Sequence, residues 1–113
     1  MGDSPNEPSR VEQFREIVEM DPDDYFSHYG LASALFEEGC YAEAVQEFRE
    51  CVRLKPEYSA AIRDLGRALE KIGAPAEAMQ VYRQGIPVAE RHGDLQTVKE
   101  MQVFLRRLEQ GSA

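Results

Sequence analysis

The chain has 113 residues and a formal net charge of −8. That length makes one domain, and a hydrophobic content of 42% is enough for a continuous core. The acidity argues against nucleic acid, which needs a basic footprint, and against anionic membrane surfaces; its first reading is solubility.

Residues 1–8 carry Gly2, Pro5 and Pro8 among polar residues and are expected to form a disordered arm. They hold no apolar stretch of the secretory kind. Asn6 stands where a myristoylation motif wants Ser or Thr. No run in the chain is long enough to cross a bilayer. Ser9 and Glu12 make an S-x-x-E capping box, which opens a first helix over about Arg10 to Met20. Val11, Phe14, Ile17 and Val18 form its apolar stripe. A second helix is predicted from about Asp24 to Glu38, ended by Gly39, and a third from about Ala42 to Leu54. Ser59 is the predicted N-cap of a fourth helix that reaches about Ile72. Pro75 suits the first position of a fifth. Pro87 predicts a kink in it, because it lacks an N–H for the Arg83 carbonyl. The helix continues to about His92, with Gly93 as its stop, and Asp94 caps a sixth helix over about Leu95 to Glu109. Leu95, Val98, Met101, Leu105 and Leu108 make one face of that last helix.

The pattern repeats. Leu31 and Leu65, Gly39 and Gly73, Ala44 and Ala78, and Phe48 and Tyr82 are each 34 residues apart. The same step back from Phe48, Val52 and Pro56 reaches Phe14, Val18 and Pro22. A helix–turn–helix period of about 34 residues is the tetratricopeptide signature. The chain resembles that family, in its small bacterial form. Leu31, Ala32, Leu35, Gly39, Tyr41, Glu43, Ala44, Phe48 and Pro56 fill the motif once. Leu65, Gly66, Leu69, Gly73, Glu77, Ala78 and Tyr82 fill it again. Departures are His28 and Ile62 at the usual Trp, Cys51 and Gly85 at a small-residue slot, Pro75 at the loop Tyr, and Glu90 at the closing Pro. Ala44 and Ala78 mark close helix crossings, Phe48 and Tyr82 fill the space between units, and no unit buries its apolar face alone.

The resemblance implies an all-α fold, an α-solenoid of about six helices in antiparallel pairs, coiled as a right-handed superhelix with one concave face. One domain would span residues 9–110: a half repeat over 9–22, repeats over 25–58 and 59–92, and a capping helix over 94–109, with a tail at 111–113. In strict register Lys99 falls where Leu31 and Leu65 sit, so the last helix is expected to leave the repeat and close the stack.

No catalytic, phosphate-binding or metal motif is present, so the expectation is a protein that is not an enzyme and takes no cofactor or metal. His28 reads as a packing residue and His92 as a helix-end residue. Cys40 and Cys51, about 15 Å apart along a helix, are too distant to bridge. Reduced thiols imply a cytoplasmic setting. In the family the first helix of each pair lines the groove. By that rule Phe26, Tyr29, Ser33 and Phe36 on the second helix, and Arg63, Arg67 and Glu70 on the fourth, are the candidate peptide-binding residues. Tyr29 and Phe36 also fit as packing between helices, and Arg63 and Arg67 as a solvated face with Glu70 neutralising Arg67.

Some relatives hold a C-terminal carboxylate with Lys and Asn; Tyr29 and Ser33 stand there instead, so that clamp is missing from the first repeat. Arg63 and Arg67, one turn apart, could still grip a ligand carboxylate. Their joint replacement by alanine is expected to weaken capture and leave stability nearly unchanged. The expected function is a protein–protein interaction scaffold. Its partner is a protein or peptide with an acidic or C-terminal carboxylate group, not nucleic acid or membrane. The alternative is a structural or assembly module, monomer giving way to homodimer, that self-associates through Val103 and Phe104 or through the half-repeat end.

Overall fold

The computed structural model describes residues 7–111. Most of the arm expected over 1–8 lies outside them, as do residues 112–113 of the tail expected over 111–113; Gly111 ends the last helix instead. Six helices follow in order: α1 (Arg10–Met20), α2 (Tyr25–Glu37), α3 (Tyr41–Leu54), α4 (Ser59–Lys71), α5 (Pro75–Arg91) and α6 (Leu95–Gly111). The described residues contain no strand.

Local chemistry sets the ends of the helices. Ser9 Oγ accepts the Glu12 N–H at 3.1 Å and starts α1. Asp24 caps α2 by accepting the Phe26 N–H at 3.2 Å. Gly39, Gly73 and Gly93 close α2, α4 and α5 at φ values of 82°, 78° and 72°. A Cβ at Gly39 or Gly73 would meet nothing within 4 Å, so the left-handed backbone itself selects glycine there. Ser59 differs from its expected role. It is the first helical residue of α4, and Tyr58 holds the cap position without a side-chain bond. The Ser59 hydroxyl is buried and donates instead to the carboxylate of Asp94, tying the start of α4 to the turn before α6.

Each helix packs on the next, and α4 also touches α6. The stack is elongated, 48 × 28 × 23 Å. Leu35, Phe48, Leu69, Tyr82 and Met101 are the large side chains fully enclosed between helices. Ala44 and Ala78 are completely buried at the crossings. At Gly66 an added Cβ would lie 2.2 Å from Tyr82 Cε1, so α4 and α5 touch through hydrogen alone.

The spacing of the helices explains why strict register fails at Lys99. From the start of α2 at 25 to that of α4 at 59 is 34 residues, and from α3 at 41 to α5 at 75 is again 34. From α4 at 59 to α6 at 95 is 36. The extra length lies in α5, with 17 residues against 14 in α3. Val98, Met101 and Leu105 therefore stand 36 residues after Ile62, Leu65 and Leu69, and Val98 and Met101 are buried like them. Thus α6 resumes the pattern as the first helix of a third unit, rather than leaving it. Pro87 sits inside α5 and does not end it; the helix runs on to Arg91. Pro87 and Arg83 are on the wet side of α5, so water can reach the carbonyl that lacks its N–H.

Candidate functional site

The helices α2, α4 and α6 each open a repeat unit and line one side of the stack. Their facing side chains meet at a residue the sequence did not single out, Asp64. It is 8% exposed, accepts hydrogen bonds from two side chains and lies in ion-pair range of a third. The Tyr29 hydroxyl donates to Oδ2 at 2.7 Å. Arg63 Nε donates to Oδ1 at 2.9 Å, and a guanidinium nitrogen of Arg67 lies 3.6 Å from Oδ1. Arg63 reaches across to α6 as well, donating to Glu100 Oε1 at 3.0 Å. Burial works against the charge on Arg63, but the bonds to Asp64 and Glu100 outweigh it and raise its pKa. Burial, then Asp64, raises the Tyr29 phenol. Arg67 is more open and lies over the Phe36 ring, 5.1 Å from its centroid. Glu70 makes no direct ion pair with Arg67; its carboxylate accepts the Tyr82 hydroxyl.

Two hollows flank α4. One, about 310 Å³, lies between α2 and α4, with Phe36 and Phe48 as apolar walls and Ser33, Asp64 and Arg67 at its rim. Glu37 also borders it, but that carboxylate is held by Arg10 at 2.6 Å. The other, about 510 Å³, lies between α4 and α6. Arg63, Arg67 and Lys71 line it from α4, and Glu100, Phe104 and Arg107 from α6. Most arginines elsewhere are matched with carboxylates, as in Arg15–Glu43, Arg49–Glu77, Arg53–Glu50 and Arg83–Glu109. Among the described residues Lys71 and Arg107 have no ion-pair partner; Lys71 rests 5.7 Å from the Tyr41 ring centroid.

At the other end of α2 an aromatic lip forms. Phe26 is 61% exposed and stacks on Tyr29 at 6.5 Å with 23° between the planes. Tyr58 packs on Tyr29 at 5.0 Å and on Tyr25 at 5.4 Å. Among the described residues no group of three or more His, Cys, Asp or Glu could hold a metal, and no helix is long and apolar enough to cross a membrane. Both cysteines are free, and burial pushes the Cys51 thiol up to about 12.

A tetratricopeptide repeat family model matches residues 35–101, from within α2 to within α6. This chain belongs to the tetratricopeptide repeat (TPR) family. A Bordetella parapertussis protein of known solution structure is 31% identical, with 95% of this chain and 93% of that chain covered at a TM-score of 0.82. A TPR domain protein from Salinibacter ruber is 30% identical, covering 79% and 90%, at a TM-score of 0.71. The TPR2B domain of yeast Sti1, solved as a complex with pHsp70, superposes at a TM-score of 0.83. At 16% identity, over 89% of this chain and 81% of that one, that likeness shows the fold alone. No curated protein sequence matches the chain.

The TPR register places the candidate residues. Phe26, Tyr29, Ser33 and Phe36 lie along α2 and Arg63, Arg67 and Glu70 along α4. Ser33, Phe36 and Arg67 border the first hollow; Arg63, Arg67 and Glu70 border the second. Tyr29 is committed to Asp64 and to the aromatic lip. Missed from sequence were Asp64, Lys71, Glu100 and Arg107. The 36-residue step would have found the two on α6, because it restores that helix to a groove position. Phe104, expected to serve self-association, packs on Tyr82 at 5.7 Å and borders the second hollow.

Proposed function

We propose that this TPR domain is a non-catalytic scaffold that holds a segment of another polypeptide in the groove lined by α2, α4 and α6, and that it works in the cytoplasm, a compartment that suits its two free thiols. One observation carries the reading. Phe26 is left 61% exposed beside Tyr29, on the same helix face as the opening over Phe36 and Phe48. Apolar surface left open on a helix that borders a hollow about 15 Å further along marks an interaction site. The yeast Sti1 domain, a fold relative, is known with pHsp70 bound. Cations lining the groove of a chain with net charge −8 favour a partner with an acidic or C-terminal carboxylate group.

Self-association is disfavoured at both ends. In the structural register Arg10 takes the place of Ala44, and Gln102 that of Gly66. A long side chain at a close crossing keeps another helix from extending the stack, so the domain acts as a monomer. The test is site-specific photocrosslinking in native lysate. A photoreactive residue at Ser33 should trap a polypeptide, and one at Gln84 on α5 should not. Equal trapping from both positions, or a self-crosslink from Ser33, overturns the groove reading.

A further inference from the structure

We infer that the groove reads two ligand side chains together: an apolar one in the hollow between α2 and α4, and a side-chain carboxylate in the hollow between α4 and α6, about three residues apart along an extended segment. This rests on the groove reading above and gives it a ligand pattern.

The two hollows differ in chemistry. The first has the Phe36 and Phe48 rings as walls. Its acidic neighbours are already engaged, Glu37 by Arg10 and Asp64 by Tyr29 and Arg63. An entering apolar side chain therefore meets the Phe36 ring, with the enclosed Phe48 behind it, while Arg67 at the rim keeps its charge toward the second hollow. The second hollow is ringed by Arg63, Arg67, Lys71 and Arg107 against Glu70 and Glu100. Arg63 is occupied by Asp64 and Glu100, and Glu70 accepts the Tyr82 hydroxyl but keeps its charge, so the four cations of this lining still outnumber its two carboxylates. What remains for a ligand is Arg67, with a loose 3.6 Å contact to Asp64, together with Lys71 and Arg107. These three cations face an opening of about 510 Å³, with Phe104 in its wall. A carboxylate fits that surplus, and an Arg or Lys side chain would be repelled.

Arg67 borders both hollows, so it is their shared wall. The two subsites lie on either side of α4, and a helix with its side chains is about 10 Å wide. An extended chain advances about 3.3 Å per residue. Three residues therefore carry the backbone from one subsite to the other.

The experiment uses the full chain and amidated peptides of a Gly/Ser background. Each carries one Phe and one Glu, separated by one to six residues in either order, and binding is read by fluorescence polarisation. Binding should peak at a separation of three and fall at least tenfold at one and at six. Lys71→Ala with Arg107→Ala should erase the gain from Glu, retain the weak binding from Phe, and leave the thermal midpoint in place, since both side chains are exposed. Equal binding at all separations, or no effect of the double variant, overturns the two-subsite pattern while the groove reading stands. A peptide with a free C-terminus and no Glu that binds as well as the best amidated one makes the terminal carboxylate the occupant and overturns the side-chain assignment. Failure of every peptide to saturate, with Ser33 crosslinking still positive, sinks the pattern alone; failure of both sinks the groove as well.

Discussion

The Tyr29 hydroxyl donates to Asp64 Oδ2 over 2.7 Å, joining α2 to α4 across the groove. The same carboxylate holds Arg63, which holds Glu100 on α6. All three groove helices are thus linked by one polar chain in a half-buried setting. Tyr29→Phe should lower stability by about 0.5–1.5 kcal/mol. Asp64→Ala should cost more, because it strips a partner from both Tyr29 and Arg63. In urea unfolding, the double variant should lose less than the sum of the two. Strict additivity would mean the bond carries no coupling.

The two groove arginines should behave differently when replaced. Arg63 has a side chain 21% exposed and lies between two carboxylates; Arg67 is 46% exposed. Arg63→Ala leaves Asp64 charged and poorly solvated, which should cost roughly 1–3 kcal/mol. Arg67→Ala should cost little. This revises the sequence expectation that both could be removed with stability nearly unchanged. Equal denaturation midpoints for the two variants would show that Asp64 does not depend on Arg63.

The repeat was legible because its residues answer to local rules that do not need coordinates. Glycine at a left-handed turn, alanine at a crossing and an aromatic between units each have one physical reason, and Gly39, Ala44 and Phe48 obey it. Asp64 was not legible. It is a charged residue at a position that a 3.6-residue period assigns to the helix face near the core, and only the arrival of Tyr29 from 35 residues earlier explains it. Glu70 misled for a similar reason. Its neighbour at three residues was Arg67, but Tyr82 on α5 offered a hydroxyl at a buried end. The last helix was misplaced by a step two residues longer than the period, since α5 is three residues longer than α3 and its connection to α6 one residue shorter, which a fixed period cannot absorb.

Gly66 should resist replacement although it sits inside a helix. Alanine is favoured there by about 1 kcal/mol in propensity. Its Cβ would lie 2.2 Å from Tyr82 Cε1 and 2.6 Å from Cζ. Tyr82 is fully buried and its hydroxyl is bonded to Glu70, so the ring cannot retreat. The net effect of Gly66→Ala should be a loss of about 1–3 kcal/mol. Gly30→Ala meets Phe14 Cε1 at the same 2.2 Å. Phe14 is half-buried on the terminal helix and can swing, so its loss should be smaller. Ala44→Leu and Ala78→Leu, at fully buried crossings, should also fall in the range of about 1–3 kcal/mol. A raised thermal midpoint for Gly66→Ala would remove the close α4–α5 contact from the account.

His28 makes stability depend on pH. The ring is buried, with Nδ1 2.7 Å from Glu47 Oε1 and Nε2 2.7 Å from the Pro22 carbonyl oxygen. Both partners are acceptors, so both ring nitrogens must carry hydrogen to satisfy them, and that species is the imidazolium. Burial by itself would lower the pKa. The Glu47 bond, the Pro22 carbonyl and the charges of Glu47 and Glu50 outweigh it, and the pKa rises above its ordinary 6.5. Asp24, at the start of the same helix, adds a further negative charge nearby. A folded pKa above the unfolded one means that the folded state binds the proton more tightly. The stabilisation is therefore complete below about pH 6.5 and is lost as pH climbs through the folded value. Unfolding free energy, measured in urea above the range where carboxylates titrate, should fall across that window. His28→Phe should flatten the fall. A pH profile unchanged by His28→Phe would mean that the ring takes up no extra proton on folding.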